Sequence, residues 1–600
     1  MSLDSHKRDF SANARLPGIF ALAACIGMVS TLAAFVLLNL IHLFTNLFFF
    51  GTLSFAERSP ATNTLGLWVV GVPVVGGLIV GLMARYGSEK IRGHGIPEAI
   101  EAILFGKSKM SPKVAVLKPL SSGIVIGSGG PFGAEGPIIM TGGALGSLIA
   151  QCVKVTSAER KTLLVAGAAA GMTAVFGTPV AAVLLAVELL LFEWRPRSFL
   201  PVAMACAVAG FARAMFFGTG PLFPLETTAP DGWSLISCVI AGLLSGALAS
   251  GLSATLYKVE DLFGKLPIHW MWWPALGGLV VGIGGWLEPR ALGVGYDVIG
   301  DLLHQHIALQ IALLLLAVKA IMWVVALGSG TSGGVLAPLL MLGAGLGTVL
   351  SHWLPGNQPA LWPIVCMAAT LGATLGAPLT AIVFAFGLTH DSNALLPLLT
   401  ATLIAHGFST VVMRRSIMTE KIARRGYHIY REYGVDPLER HYVDEVMTAS
   451  VESLDAAMTV NETLAKFFGA AQVRRAYPVV RGDAVIGVAD RQLLDDFYRE
   501  KPELNGGLSL ADAFKQRSPA YALPNETCRL VATRLVVHHL ERLPVVADPK
   551  TMRLIGIVSR SDLLKPSLAH FEEEHKRERF RRLTPVLGKR RRFAPVRKSS

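Results

Sequence analysis

The sequence predicts a mostly α-helical polytopic membrane domain, built from an internal repeat of interrupted helices and followed by a small α/β soluble region. Three observations lead there. The chain of 600 residues is 52% hydrophobic and only 16% charged, with a mean hydropathy of +0.50, too apolar for a soluble enzyme. Charges are sparse from Leu16 to about Met413 and ordinary after Arg414. A long segment of the apolar part also recurs in its second half. A chain of this length exceeds one hydrophobic core, so we divide it as follows. Residues 1–15 form a cytoplasmic N-terminal segment and 16–430 a membrane domain, with repeat halves at about 16–220 and 230–430. Soluble modules follow at 440–500 and 508–568, and then a basic tail at 569–600.

The first apolar run, Ile19 to Phe50, is long enough to cross a hydrocarbon core of roughly 30 Å. Lys7, Arg8 and Arg15 precede it as they would a signal peptide, but the run is too long and no clean small-residue cleavage site follows. Further apolar runs begin near Leu65, Leu163, Leu200, Leu235, Trp270, Ile307 and Leu361. The net charge of +13 is concentrated beside the apolar region (Arg414, Arg415, Lys421, Arg424, Arg425) and in the tail (Lys589 to Arg592). Basic residues flanking membrane segments place both termini in the cytoplasm. No aromatic-interleaved basic fold accompanies the charge, so nucleic acid is not an expected partner. The six cysteines (Cys25, Cys152, Cys206, Cys238, Cys366, Cys528) lack metal-ligand spacing and are expected to be packing residues, with no metal bound.

The repeat is explicit. GSGGPFGAEGPIIMTGGALGSL (Gly127 to Leu148) matches GSGTSGGVLAPLLMLGAGLGTV (Gly328 to Val349), and the same offset pairs Lys118 with Lys319 and Pro137 with Pro338. GTPVAAVLLAV from Gly177 and GAPLTAIVFAF from Gly376 match at nearly that offset. Duplicated halves with Gly- and Pro-interrupted apolar segments characterise secondary transporters, although parallel and inverted duplication give the same sequence signal. Broken helices put half-helix ends at membrane depth, where their backbone must line a cavity. Helix N-termini carry free N–H groups and partial positive charge, so such a cavity favours an anion. Close helix packing alone accounts for GGALG, but not for proline directly after GAE-Gly and GVLA. Glu135 lies within this stretch, and a carboxylate there is costly to bury and marks a functional site. Half-helix N-termini can hold it where a permeant anion would sit, as a tethered competitor that protonation releases.

GHGIP (Gly93 to Pro97), GAEGP (Gly133 to Pro137) and GVLAP (Gly334 to Pro338) together resemble, in order and spacing, the three anion-site motifs of the CLC chloride channel and transporter family. The resemblance covers about Leu16 to Gly426. It implies an inverted-repeat fold and a homodimer with one pore per subunit, in a bacterial inner or plasma membrane. Glu135 takes the family's gating position. Anion coordination falls to the backbone at Gly95, Ile96, Val335 and Leu336, together with the His94 and Met418 positions. Lys118 and its counterpart Lys319 would add positive potential to the pathway, or else snorkel to an interface.

The sequence departs from the family pattern in three places. His94 stands where chloride-selective relatives usually carry serine; imidazole can donate a hydrogen bond but is larger, and titrates near about pH 6.5 when unperturbed. Met418, in SIMTEKIARRG, stands where a tyrosine usually closes the inner side, so that closure is looser or purely steric. Exchangers generally carry a second glutamate where this chain has Leu189 after Glu188, and leucine relays no proton. Glu188 is expected as a structural residue at a helix end, and Glu193 as a solvated one. The reading is therefore transport of chloride or a similar anion across the bilayer, channel-like or weakly proton-coupled, with a coupled anion/proton antiporter as the alternative.

After Tyr442, strand-like runs recur as YPVV then VIGVAD, and LPVV then LIGIVSRSDLL, around helix-like segments. These resemble paired CBS domains. In the second, GIVSRSD matches a segment that contacts adenine nucleotides in many such pairs, which implies Ser559 near phosphate and Asp562 on ribose. The first has Leu493 at the acid's place, and a purely structural pair is the other reading. No cofactor is required. A CBS-linked magnesium transporter would need more intramembrane carboxylates than this chain offers. No HExxH, GxSxG or P-loop marks an enzyme.

Overall fold

The computed structural model describes residues 15–355, 359–427, 429, 437–449, 451–469, 475–500, 507–515, 519–566, 568 and 577–578. Most of the basic tail and of the N-terminal segment lies outside them. The chain forms two compact units, residues 1–431 with 577–600, and residues 432–576.

In the first unit the helices are α1 (Leu16–Phe50), α2 (Gly71–Tyr86), α3 (Ile96–Leu104), α4 (Pro112–Gly127), α5 (Glu135–Cys152), α6 (Ser157–Phe176), α7 (Pro179–Leu185) and α8 (Pro196–Phe217). The second half gives α9 (Gly232–Gly264), α10 (Trp273–Leu287), α11 (Tyr296–Leu303), α12 (Leu309–Gly328), α13 (Leu336–Leu350), α14 (Leu361–Leu375), α15 (Pro378–Thr389), α16 (Leu395–Val412) and α17 (Ile417–Arg424). Among the described residues, six helical segments are long and apolar enough to cross a membrane. Helices α3, α5 and α13 start inside the protein, each preceded by a buried glycine-rich loop, and α11 follows a glycine loop that is only half-buried.

The packing of α2 on α10 shows how the halves are related. These helices are repeat counterparts, with Pro73 matching Pro274 and Gly77 matching Gly278. A Cβ on Gly77 would fall 2.3 Å from the Pro274 carbonyl oxygen, and one on Gly81 2.1 Å from that of Met271. Reciprocally, a Cβ on Gly278 would fall 2.3 Å from the Pro73 oxygen, and one on Gly282 2.3 Å from that of Val70. Contacts that rise along α2 while falling along α10 mean the two helices are antiparallel. Equivalent helices running in opposite directions make this an inverted repeat, with a pseudo-two-fold axis between α2 and α10.

Glycine also sets the packing of the fully buried pairs. Cβ atoms at Gly142 and Gly146 would lie 2.3 Å from the oxygens of Gly167 and Leu163 on α6. Their counterparts Gly343 and Gly347 stand at 2.6 and 2.2 Å from Cys366 and Trp362 oxygens on α14. GGALG is thus a packing element, as its small residues alone indicate. A two-residue strand, β1 (Val155–Thr156), pairs antiparallel with β8 (Arg577–Glu578), which docks the start of the tail on this unit.

The second unit holds two three-stranded sheets. β3 (Leu454–Asp455), β4 (Ala476–Arg481) and β5 (Ala484–Asp490) form one; β2 (Thr448–Ala449), β7 (Leu554–Ser559) and β6 (Arg542–Val546) form the other. YPVV and LPVV lie in the two central hairpins, β4–β5 and β6–β7. The modules exchange their leading segments. Leu508, Leu510 and Phe514, which the sequence assigns to the second module, pack in the first core. Val443 and Val446, assigned to the first, pack in the second core. The reason is pairing: β2 completes the edge of the β6–β7 hairpin, and the Leu510 N–H bonds the Met458 oxygen of the first module.

Replacing Gly278 with valine forces a branched side chain into the Pro73 backbone, an overpacking cost of about 1–3 kcal/mol. The variant should melt at lower temperature in detergent, whereas Gly300→Val, where a Cβ meets nothing within 4 Å, should melt like wild type.

Candidate anion site

The site forms where four helix starts meet at the pseudo-two-fold axis. Gly133 and Gly334, repeat counterparts, bond each other's backbone: Gly133 N–H to Gly334 O at 3.3 Å, and Gly334 N–H to Gly133 O at 3.0 Å. Two residues further on, α5 and α13 begin at Glu135 and Leu336. Pro137 and Pro338 are the third residues of these helices, where the missing N–H costs the helical ladder nothing. The His94 carbonyl abuts Gly136, where a Cβ would fall 2.0 Å from it, so the start of α3 adjoins that of α5.

A buried lysine holds each Gly-x-Gly loop. Gly93 and Gly95 have φ of +77° and +87°, and Gly293 and Gly295 have +65° and +77°, conformations that suit glycine alone. Lys118 Nζ donates to Ile91 O (2.9 Å), Gly93 O (2.8 Å) and Ser332 Oγ (3.0 Å). Lys319 Nζ donates to Ala291 O and Gly293 O, each at 2.9 Å. Both side chains are fully buried. The snorkelling expectation is therefore corrected: with their ammonium groups spent on loop carbonyls, neither lysine reaches an interface. Each is a clamp that presents the helix following its loop, α3 or α11.

Glu135 is also fully buried. Its Oε1 accepts the Tyr296 hydroxyl at 3.1 Å, and its Oε2 has no hydrogen-bond partner among the described residues. Oε2 lies over Gly133 and Gly334, 1.7 and 2.8 Å from where their Cβ atoms would be, so only glycine leaves room for it. The Ala337 N–H at the start of α13 faces the carboxylate. Sequence reasoning missed Tyr296. Its signal was present: GVGYD (Gly293 to Asp297) is the repeat counterpart of GHGIP, with Tyr296 in the place of Ile96.

His94, buried with its Nδ1 unpartnered, lines a cavity of ≈ 560 Å³ with Arg92, Glu98, Lys421, Arg424 and Arg425. Inversion puts the His94 and Tyr296 loops on opposite faces of the membrane domain. On the His94 face, α17 carries the fully buried Met418. This helix is anchored: Lys421 and Arg425 both pair with buried Glu98 (3.2 and 3.0 Å), Arg425 also with Glu101, and Arg424 with Asp261 at 2.5 Å. The Tyr257 hydroxyl donates to Ile417 O at 2.5 Å.

Away from the axis, Glu188 caps α15, accepting Thr380 N–H (2.8 Å), Thr380 Oγ1–H (2.7 Å) and Leu379 N–H (3.3 Å). It stands in a π-helical turn, Ala186–Leu191, with Leu189 fully buried beside it. Glu193, expected as a solvated helix end, is instead partnered, accepting Ser198 Oγ–H at 2.7 Å with Lys161 and Arg195 at 3.9 Å. In the second unit, Asp562 Oδ2 accepts Ser559 N–H (2.9 Å) and Oγ–H (2.6 Å), and Oδ1 pairs with Lys565 at 2.7 Å. Burial pushes this carboxyl up, but Lys565 and Ser559 together hold it below the usual carboxylate range.

A family profile described as "Voltage gated chloride channel" matches residues 76–410, and one described as "CBS domain" matches 511–568. The chain belongs to the voltage gated chloride channel (CLC) family and is an integral multi-pass membrane protein. Among its relatives, the "Putative chloride channel protein ClcB-like" of Ralstonia nicotianae is 28% identical over 59% of this chain and 85% of its own. The "H(+)/Cl(-) exchange transporter ClcA" of Salmonella paratyphi A is 27% identical over 57% of this chain and 76% of its own. The fold is shared with a eukaryotic CLC transporter (TM-score 0.60, 19% identity, covering 91% of this chain and 97% of that one). It is also shared with a slow cyanobacterial Cl−/H+ antiporter (TM-score 0.59, 22% identity, covering 69% and 99%).

Replacing Lys319 with methionine leaves two buried carbonyls without a donor, at about 1–3 kcal/mol each. The variant should melt several degrees lower in detergent, and Lys319→Arg, which keeps a donor, should recover part of the loss.

Proposed function

We propose that this protein carries chloride or a similarly small monovalent anion across the bilayer, through a pore at the junction of α3, α5 and α13 gated by Glu135. The observation that carries this reading is a fully buried carboxylate, with one oxygen unpartnered, at the meeting point of helix N-termini. Only an anion gains from those N–H groups, so the carboxylate and a permeant ion compete for one place. The ion would be held by backbone N–H groups at Gly95, Ile96, Val335 and Leu336, and Lys118 and Lys319 would add positive potential. His94, with a free ring nitrogen where relatives carry serine, would set preference among anions. Closure at Met418 would be steric, since α17 is fixed by its ion pairs.

Conduction is channel-like or weakly proton-coupled in this reading. Leu189 offers no proton relay, and Glu188 is occupied at the start of α15. The exchange activity in the name of the Salmonella relative favours the second reading, a coupled antiporter. The CBS pair would be cytoplasmic and regulatory, with Ser559 and Asp562 open to an adenine nucleotide once Lys565 gives way. The assembly would be a homodimer.

In proteoliposomes, chloride flux through wild type should rise as pH falls, because protonation releases the plug. Glu135→Gln and Glu135→Ala should still conduct, with that pH dependence flattened. An unchanged pH response in both variants would make Glu135 structural and remove the gate.

A further inference from the structure

We propose that Tyr296 is the latch of the gate: its hydroxyl holds the charged Glu135 carboxylate in the closed seat, and so sets the pH at which the pathway opens. This rests on Glu135 being the gate, and it adds a positioning residue that belongs to none of the three motifs. The argument begins with the broken symmetry of the repeat. Inversion makes GHGIP and GVGYD equivalent loops, each clamped by a buried lysine, and makes Glu135 equivalent to Leu336. In one half an isoleucine (Ile96) starts the short helix, and the facing helix start, at Leu336, is apolar. In the other half a tyrosine starts it, and the facing helix start is acidic. The substitutions are complementary across one contact, Tyr296 Oη to Glu135 Oε1 at 3.1 Å.

The tyrosine is built to hold that position. It is the first residue of α11, after Gly295 at φ +77°, and Lys319 fixes the preceding loop through Gly293 O. Its ring packs edge-on against Phe176 and Phe223, with centroids 6.1 and 6.3 Å away. A carboxylate accepts this hydrogen bond best when ionised, so the contact favours the charged, seated form over the protonated, released one. Among the described residues Oε2 has no partner, and Tyr296 is the one side chain that donates to the carboxylate. The other charged groups around the pair are few. Glu57, from the segment after α1, acts on the Tyr296 hydroxyl. Lys319 on α12 is turned to the loop carbonyls and acts with Asp297 of α11. The first turn of α13 carries no acid, and His94 and Glu98 belong to the opposite face. None of these can replace the phenol as a donor to Oε1.

Tyr296→Phe removes one hydroxyl and keeps the ring packing, so the test compares chloride efflux from proteoliposomes between pH 4 and 8 for four proteins: wild type, Tyr296→Phe, Glu135→Gln and the double variant. Without its donor the carboxylate is protonated more readily. The midpoint of acid activation in Tyr296→Phe should therefore move to higher pH by about one unit, the size of one hydrogen bond to a charged group. The double variant should follow Glu135→Gln alone, because the hydroxyl acts only through the carboxylate. If Glu135→Gln flattens the profile while Tyr296→Phe leaves the midpoint in place, the latch is refuted and the gate stands. If Tyr296→Phe lowers flux equally at every pH, its role is structural and the latch is likewise refuted. If Glu135→Gln itself leaves the profile unchanged, the gate and the latch fall together.

Discussion

Two hydrogen bonds between Gly133 and Gly334 tie the halves of the repeat at their pseudo-two-fold axis, and the chemistry of the site depends on them. They bring the backbones of two glycine loops into direct contact, where a Cβ on Gly334 would fall 2.4 Å from the Gly133 oxygen, and they set the starts of α5 and α13 facing one another. Helix starts that meet head-on concentrate unpaired N–H groups, and a membrane interior offers no water to satisfy those groups. Something anionic must complete the arrangement. In this structure the group at that place is the protein's own Glu135, fully buried and faced by the Ala337 N–H, so the proposed gate and the proposed anion site follow from one constraint.

The lysine clamps extend the same logic outward. A loop whose glycines adopt left-handed conformations has carbonyls turned away from any ladder, and in a buried setting those carbonyls need donors. Lys118 and Lys319 supply them from equivalent positions, which is why the two lysines share the repeat offset. The geometry explains their burial: each ammonium group donates to loop carbonyls, Lys118 at Ile91 and Gly93 and Lys319 at Ala291 and Gly293.

Much of this was legible from residue order. The matched GSGGPFGAEGP and GSGTSGGVLAP segments located the axis, the prolines after GAE-Gly and GVLA marked helix starts, and the strand-like YPVV and LPVV runs located both soluble sheets. Inversion was not legible, because parallel and antiparallel duplication leave the same letters; reciprocal glycine contacts between α2 and α10 reveal it. The exchanged edges of the two modules were hidden too, since Val443 and Leu510 look like local core residues until β2 and Met458 show what they pair with. Tyr296 was missed because GVGYD keeps only the glycines of GHGIP. A residue that breaks a repeat's symmetry is the one a search for similarity overlooks.

The claim that Glu135 occupies an anion's place can be tested most directly by diffraction at the bromine absorption edge from crystals grown in bromide. In Glu135→Ala, an anomalous peak should lie between the Tyr296 hydroxyl and the Ala337 N–H, where the wild-type protein, crystallised near neutral pH, shows none. Identical bromide peaks in both proteins, with that position empty in each, would contradict the account.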